Sequence, residues 1–179
     1  MKRGNGMPGY VIHLAVANEY MRKNNEDIKD KTQFILGVIA PDSVKDKSET
    51  HYGPKSSQTS LRKYLETNEI DSDFDKGYFL HLITDFIFYN KVIDTISNDI
   101  YNDYDILNKY LIEKYNVELP EKAKQHINFK VGKTKILSKE KAQEAIEKAS
   151  DVNLLDIKNK IISSTYCEEW EKIRLLKRI

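Results

Sequence analysis

The sequence predicts an all-α protein, and two observations carry that prediction. Apolar residues recur at helical spacing through nearly every segment, and alternating strand patterns are lacking. Chain breakers are scarce, with seven Gly and four Pro in 179 residues, so little of the chain is committed to turns. A composition of 40% hydrophobic and 32% charged residues excludes a disordered chain. The length suits a single domain, 1–179, that buries roughly two thirds of its unfolded surface.

Taken in order, residues 1–7 read as a flexible lead, and Pro8 suits the first turn of a helix. Val11, Ile12, Leu14, Ala15, Ala17, Tyr20 and Met21 follow at helical spacing, with His13 among them. A second helix starts near Asp30, carries Phe34, Ile35, Leu36, Val38 and Ile39, and is expected to end at Ala40. The residue before a proline is disfavoured in the helical region. Asp42 then opens a polar stretch, 43–60, which reads as a loop holding His51. Periodicity resumes at Leu61, Tyr64 and Leu65, pauses over the acidic residues 69–75, and returns as a central helix over 76–90 that continues through Val92, Ile93 and Ile96. Residues 8–95 thus form one half. In 96–179 further amphipathic helices are expected over 101–115, after Pro120 with His126, over 139–148, and from Leu154 to the end, with Trp170, Ile173 and Leu176 docked on the core.

Several function classes drop out on composition. A net charge of +1 gives no broad nucleic-acid footprint. A single cysteine, Cys167, excludes an internal disulfide and thiolate zinc sites, so any metal site must use His, Asp and Glu. The amino-terminal segment lacks a signal h-region, and no apolar run reaches the ~20 residues of a membrane span. The expected location is the cytoplasm.

The central helix carries the first chemical signal. His81 and Asp85 are four residues apart, hence on one helical face and about 6 Å apart along the axis. Together they can grip one metal ion. An unpaired carboxylate among Phe79, Leu82, Phe86 and Phe88 costs several kcal/mol in practice, so something must compensate Asp85. Pairing with His81 alone, or escape to solvent, is the plain alternative. His13, Asp42 and His51 each have a plain alternative too, as a packed histidine, a turn cap and a loop histidine. Yet three of the four histidines and two aspartates form one ordered set beside apolar elements, and imidazole and carboxylate are what zinc, manganese or another divalent ion accepts without thiolates.

The segments Pro8-Gly9-Tyr10-Val11-Ile12-His13, Phe34-Ile35-Leu36-Gly37-Val38-Ile39-Ala40-Pro41-Asp42, Thr50-His51-Tyr52 and Tyr78-Phe79-Leu80-His81-Leu82-Ile83-Thr84-Asp85 resemble the zinc-dependent phospholipase C family, related to the S1/P1 nucleases. The resemblance covers residues 8–90. It implies a helical bundle around up to three zinc ions, with Asp42, His51, His81 and Asp85 on one ion and His13 on a second that Asp85 bridges. Two departures stand out. The secreted members ligate metal through a processed first residue, whereas twelve residues precede His13 here. They also supply a further histidine after Asp85, where this chain has Phe86-Ile87-Phe88-Tyr89. One or two zinc ions are therefore expected, with an incomplete third site and His126 outside the cluster.

The resemblance implies a metal-dependent hydrolase of phosphate esters, acting on a small phosphoester or a phospholipid-derived substrate, with Asp42 and Asp85 as catalytic residues. Asp42 is a ligand, a base or both. An HD-type phosphohydrolase needs adjacent His and Asp, and no His-Asp pair occurs. The contrasting expectation is a non-catalytic helical binding or scaffold protein that a metal stabilises.

Overall fold

The computed structural model describes residues 9–179, so the lead over 1–7 and the role of Pro8 lie outside the described residues. Ten helices and a two-strand pair make up the described chain, as the all-α expectation requires. In the first half these are α1 (Tyr10–Lys23), α2 (Lys31–Ile39), α3 (Ser48–His51), α4 (Leu61–Thr67) and α5 (Asp73–Ile87). After strand β1 (Thr95–Ile96) come α6 (Asp99–Tyr115), α7 (Glu121–Lys124), α8 (Lys139–Ser150), α9 (Leu154–Ile162), α10 (Glu168–Glu171) and strand β2 (Lys177–Arg178).

Helix α5 runs through the centre, with Phe79, Leu80, Leu82, Ile83, Phe86 and Ile87 all buried. It begins earlier than its apolar pattern. Asp73 and Asp75, read from the sequence as part of a pause, are its first turn. The Ser72 hydroxyl accepts a hydrogen bond from the Asp75 N–H, and the Asp75 carboxylate accepts one from the Ser72 N–H, a reciprocal cap that also complements the helix dipole. Asp73 Oδ2 additionally accepts the N–H groups of Lys29 and Asp30, at 3.0 and 2.6 Å, tying α5 to the entry of α2.

The contact between α2 and α5 is limited by backbone rather than side chains. A Cβ on Gly37 would lie 2.1 Å from the Phe74 carbonyl oxygen, and one on Gly77 would lie 2.1 Å from the Phe34 carbonyl oxygen. Only hydrogen atoms fit at either position, so the two helices touch along their main chains. Aromatic packing surrounds the crossing: Tyr20 stacks on Phe34, and Tyr64 stacks on both Tyr78 and Phe79.

Helix α2 ends as expected, with Ala40 as its C-cap, although Ala40 keeps helical angles, φ −56° and ψ −44°, because the chain passes Pro41 in a 3-10 turn (Ala40–Asp42). Three other expectations are corrected. The stretch 43–60 is not all loop, since α3 and a 3-10 turn (Ser56–Gln58) form within it. The central helix stops short of Ile93 and Ile96. It widens into a π turn (Phe88–Val92) closed by the Ile93 N–H on the Phe88 carbonyl, and Ile93 is extended.

The carboxyl-terminal segment, finally, is helical only over α10. Beyond it β2 pairs in parallel with β1, Thr95 opposite Lys177 and Ile96 opposite Arg178. Trp170 docks as expected, buried against Phe86 and under the Lys91 ammonium at 4.4 Å. Leu176 packs on the core in part, and Ile173 is exposed. A bidentate pair from Arg62 to Glu171, at 2.6 and 2.9 Å, together with the Arg62 guanidinium on the Ile161 and Ser164 carbonyls, joins α4, α9 and α10.

Replacing Gly77 with Ala drives a methyl group into a carbonyl that cannot swing away, and overpacking of this kind costs about 1–3 kcal/mol. The urea midpoint of Gly77→Ala should fall accordingly at unchanged m-value. An unchanged midpoint would mean that α2 and α5 have slack at their crossing.

Candidate metal centre

Five side chains from four elements meet beneath this crossing. His13 comes from the middle of α1, Asp42 from the end of the 3-10 turn, His51 from the last position of α3, and His81 and Asp85 from successive turns of α5. All are buried, none more than 6% exposed. The sequence set His13, Asp42, His51, His81 and Asp85 is therefore brought together in full. His126 is apart from it, exposed just beyond α7 and stacked on the outer face of Tyr10.

The chain orients two of the imidazoles through their outer nitrogens. His81 Nδ1 lies 2.5 Å from the Val38 carbonyl oxygen, a contact that the glycine crossing of α2 and α5 permits. His51 Nδ1 lies 3.1 Å from the Lys47 carbonyl oxygen. A carbonyl only accepts, so both Nδ1 atoms carry protons and both Nε2 atoms face inward. They lie 3.3 Å apart. Two lone pairs cannot face each other at that distance, so a proton or a cation has to stand between them.

The acids complete the arrangement. Asp85 Oδ2 lies 3.0 Å from His51 Nε2 and 3.3 Å from His81 Nε2, and Asp42 Oδ1 lies 3.5 Å from each. A tetrahedral zinc shell with bonds of 2.0–2.1 Å places its ligand atoms about 3.3–3.4 Å apart. The two imidazole nitrogens lie 3.0–3.5 Å from each other and from the two carboxylate oxygens, separations of that size. On the other side His13 Nε2 lies 3.1 Å from Asp85 Oδ1 and 3.9 Å from Asp42 Oδ2. Each carboxylate thus offers one oxygen to the His51–His81 side and the other to His13.

Despite this proximity, neither carboxylate oxygen of Asp42 or Asp85 and neither nitrogen of His13 makes a hydrogen bond. The atoms are close because they aim at common points, not at one another. Buried polar groups are normally paired, and a concentration of unpaired donors and acceptors in one place is what a cation site offers. The cluster could hold a metal ion, with His13, Asp42 and His81 as one group and His51, His81 and Asp85 as another.

Charges in the metal-free cluster respond to one another. Burial opposes ionisation of Asp42 and Asp85, but the positive charge of His81 outweighs it and holds both carboxyls below their ordinary range. Burial likewise works against a charged His81, yet the two carboxylates push it up to about 10. His51 is raised, burial being outweighed by Asp42 and Asp85. His13, buried beside His81, is lowered.

Around the cluster lie residues that motif reading missed. The Lys47 ammonium donates to the Asp42 carbonyl at 2.8 Å and stands 3.6 Å from its Oδ1. The Tyr10 hydroxyl donates to the same carbonyl at 3.0 Å. The Thr50 hydroxyl donates to Pro41 O at 2.7 Å, and the Tyr78 hydroxyl donates to Thr50 O at 2.7 Å. These bonds pin α3 against the Asp42 turn. The sequence marks Lys47 only by its place four residues before His51, at the N-cap of a helix whose composition resembles a loop.

Linkage gives the pH dependence of the metal-free protein. His81, raised from 6.5 to about 10, contributes stability that is complete below pH 6.5 and lost as pH rises through about 10. Asp42 and Asp85, depressed below 3.8, contribute stability present above that value and lost as pH falls through their folded values. His13, lowered from 6.5, contributes stability that is lost as pH falls below 6.5. Chelator-treated protein should therefore melt at progressively lower temperature from pH 6.5 to pH 9. A divalent ion must displace the imidazole protons, so zinc should raise the melting temperature more at pH 8 than at pH 6. Equal effects at the two pH values would contradict this account of the cluster.

Compared with family models, with curated proteins and with solved structures, the chain matches none, and the reading of this cluster rests on its own geometry.

Proposed function

We propose that the chain is a cytoplasmic, zinc-dependent hydrolase of phosphate esters, of the phospholipase C type its motifs resemble. The observation that carries the reading is a pair of three-residue groups, His51, His81 and Asp85 on one side and His13, Asp42 and His81 on the other, each of which could hold a metal ion. A site with three protein ligands leaves positions for water and substrate, as catalytic sites do. Ions held there would supply activation of a water and polarisation of a phosphoryl oxygen.

The chain's own residues divide the work. His51 and His81, locked by the Lys47 and Val38 carbonyls, hold their side of the cluster rigid. Asp85 joins the halves through its two oxygens and sets their spacing. Asp42 is the more adaptable acid, since the nearby Lys47 ammonium competes for its Oδ1 at 3.6 Å. In this reading Asp42 is a ligand, a base or both. The substrate in this reading is a small phosphoester or a phospholipid-derived one.

The burial of all five residues favours a second reading, in which the metal staples the helices and the protein is a binding or scaffold protein. Asp85→Asn separates the two. The substitution keeps the size of the side chain and removes one negative charge from both half-sites. Under the hydrolase reading, wild-type protein with zinc or manganese turns over generic phosphoesters, and Asp85→Asn loses an ion together with most of that turnover. Under the staple reading the variant loses metal and melts lower, while wild-type protein turns over none of them. If Asp85 merely pairs with His81, stability changes by only about 0.5 kcal/mol and metal content stays constant.

A further inference from the structure

One turn beyond Asp85, the π turn carries Tyr89 to the floor of a second feature. A cleft of about 130 Å³ opens between the 3-10 turn after His51, the start of α6 and the carboxyl-terminal segment. Three of its lining residues are cations, Lys55, Arg174 and Arg178, and none is acidic. Among the described residues none of the three makes a salt bridge, although the chain as a whole is nearly neutral. Tyr89 is 1% exposed, lines the cleft, and its hydroxyl makes no hydrogen bond. The Arg174 guanidinium is held in place through the Ile93 carbonyl, and its Nε is buried without a partner.

Unpaired cations and orphan donors around one hollow are the complement of an oxyanion. Size narrows the choice. Pockets that enclose drug-sized ligands measure about 300–1,000 Å³, whereas this cleft measures about 130 Å³. It suits one phosphate group, not a whole nucleotide. We infer that the cleft bounded by Lys55, Tyr89, Arg174 and Arg178 binds a single phosphate-type anion, and that this anion is part of the substrate of the adjacent metal centre. The second clause rests on the hydrolase reading above. The first does not.

The anion has two possible carriers, a soluble organic phosphate or the headgroup of a phospholipid, and the cleft recognises their common chemistry. Calorimetric titration of the full chain with inorganic phosphate, zinc-loaded and after chelation, tests the site. Binding should weaken at least tenfold in the paired variant Lys55→Gln/Arg178→Gln and return in Lys55→Arg/Arg178→Lys, in both metal states. Circular dichroism checks that each variant is folded. Absence of phosphate binding, or binding that the paired variant leaves intact, overturns the inference. Parallel titrations with glycerol phosphate and with phosphatidylcholine vesicles containing phosphatidic acid identify the carrier as the one whose binding the paired variant abolishes. Kinetics separate the two proposals: turnover whose KM the paired variant leaves unchanged sinks the substrate role of the cleft and spares the hydrolase. Phosphate bound in the cleft of a protein without turnover sinks the hydrolase reading and the substrate role with it, and leaves the anion site standing.

Discussion

The molecule depends on a place where two helices have no side chains between them. At Gly37 and Gly77 the backbones of α2 and α5 touch, each position too close to a facing carbonyl to admit even a methyl group. This closeness lets the Val38 carbonyl reach α5 and accept a hydrogen bond from the Nδ1–H of His81. One main-chain contact therefore sets the tautomer and direction of an imidazole at the centre of the protein. The same crossing delivers the end of α2 to the cluster, so that Asp42 arrives through a tight turn rather than a free loop.

Burying two carboxylates is the cost this arrangement carries. In a metal-free chain the compensation comes from protons, held on His81 to about pH 10 and on His51 above its ordinary range. Protons compensate charge but do not satisfy geometry. They leave both oxygens of Asp42 and Asp85 and both nitrogens of His13 without hydrogen bonds, and each buried orphan of this kind costs about 1–3 kcal/mol. Cations at the two points of convergence answer both demands at once. His13 has no partner on its Nδ1, in contrast to His51 and His81, so its side of the cluster is held more loosely than theirs.

Much of this was legible in the sequence, and the pattern of misses is physical. Helical periodicity located α1, α2, α5, α6 and α8, because each buries a continuous apolar face. The five residues of the cluster could be listed because each is polar within or beside apolar sequence. What periodicity cannot register is backbone chemistry. Ser72 and Asp75 cap α5 through main-chain hydrogen bonds, so its acidic first turn looked like a pause. Lys47 and Val38 act through carbonyl oxygens that every residue possesses. The π turn at Phe88–Val92 keeps its apolar residues buried after the α-helical repeat has ended, and the pattern ran on through it to Ile96. The carboxyl-terminal segment alternates Arg174 and Lys177 with Leu176, a composition that suits a helix but is drawn into extended form by pairing with β1.

The most direct test of the central claim is anomalous scattering at the zinc edge from crystals grown with zinc. A metal centre predicts a peak about 2.0–2.1 Å from both His51 Nε2 and His81 Nε2, and a second peak between His13 Nε2 and Asp85 Oδ1. Crystals that show an undisturbed cluster with no peak inside it, at full zinc and at pH 8, would contradict it.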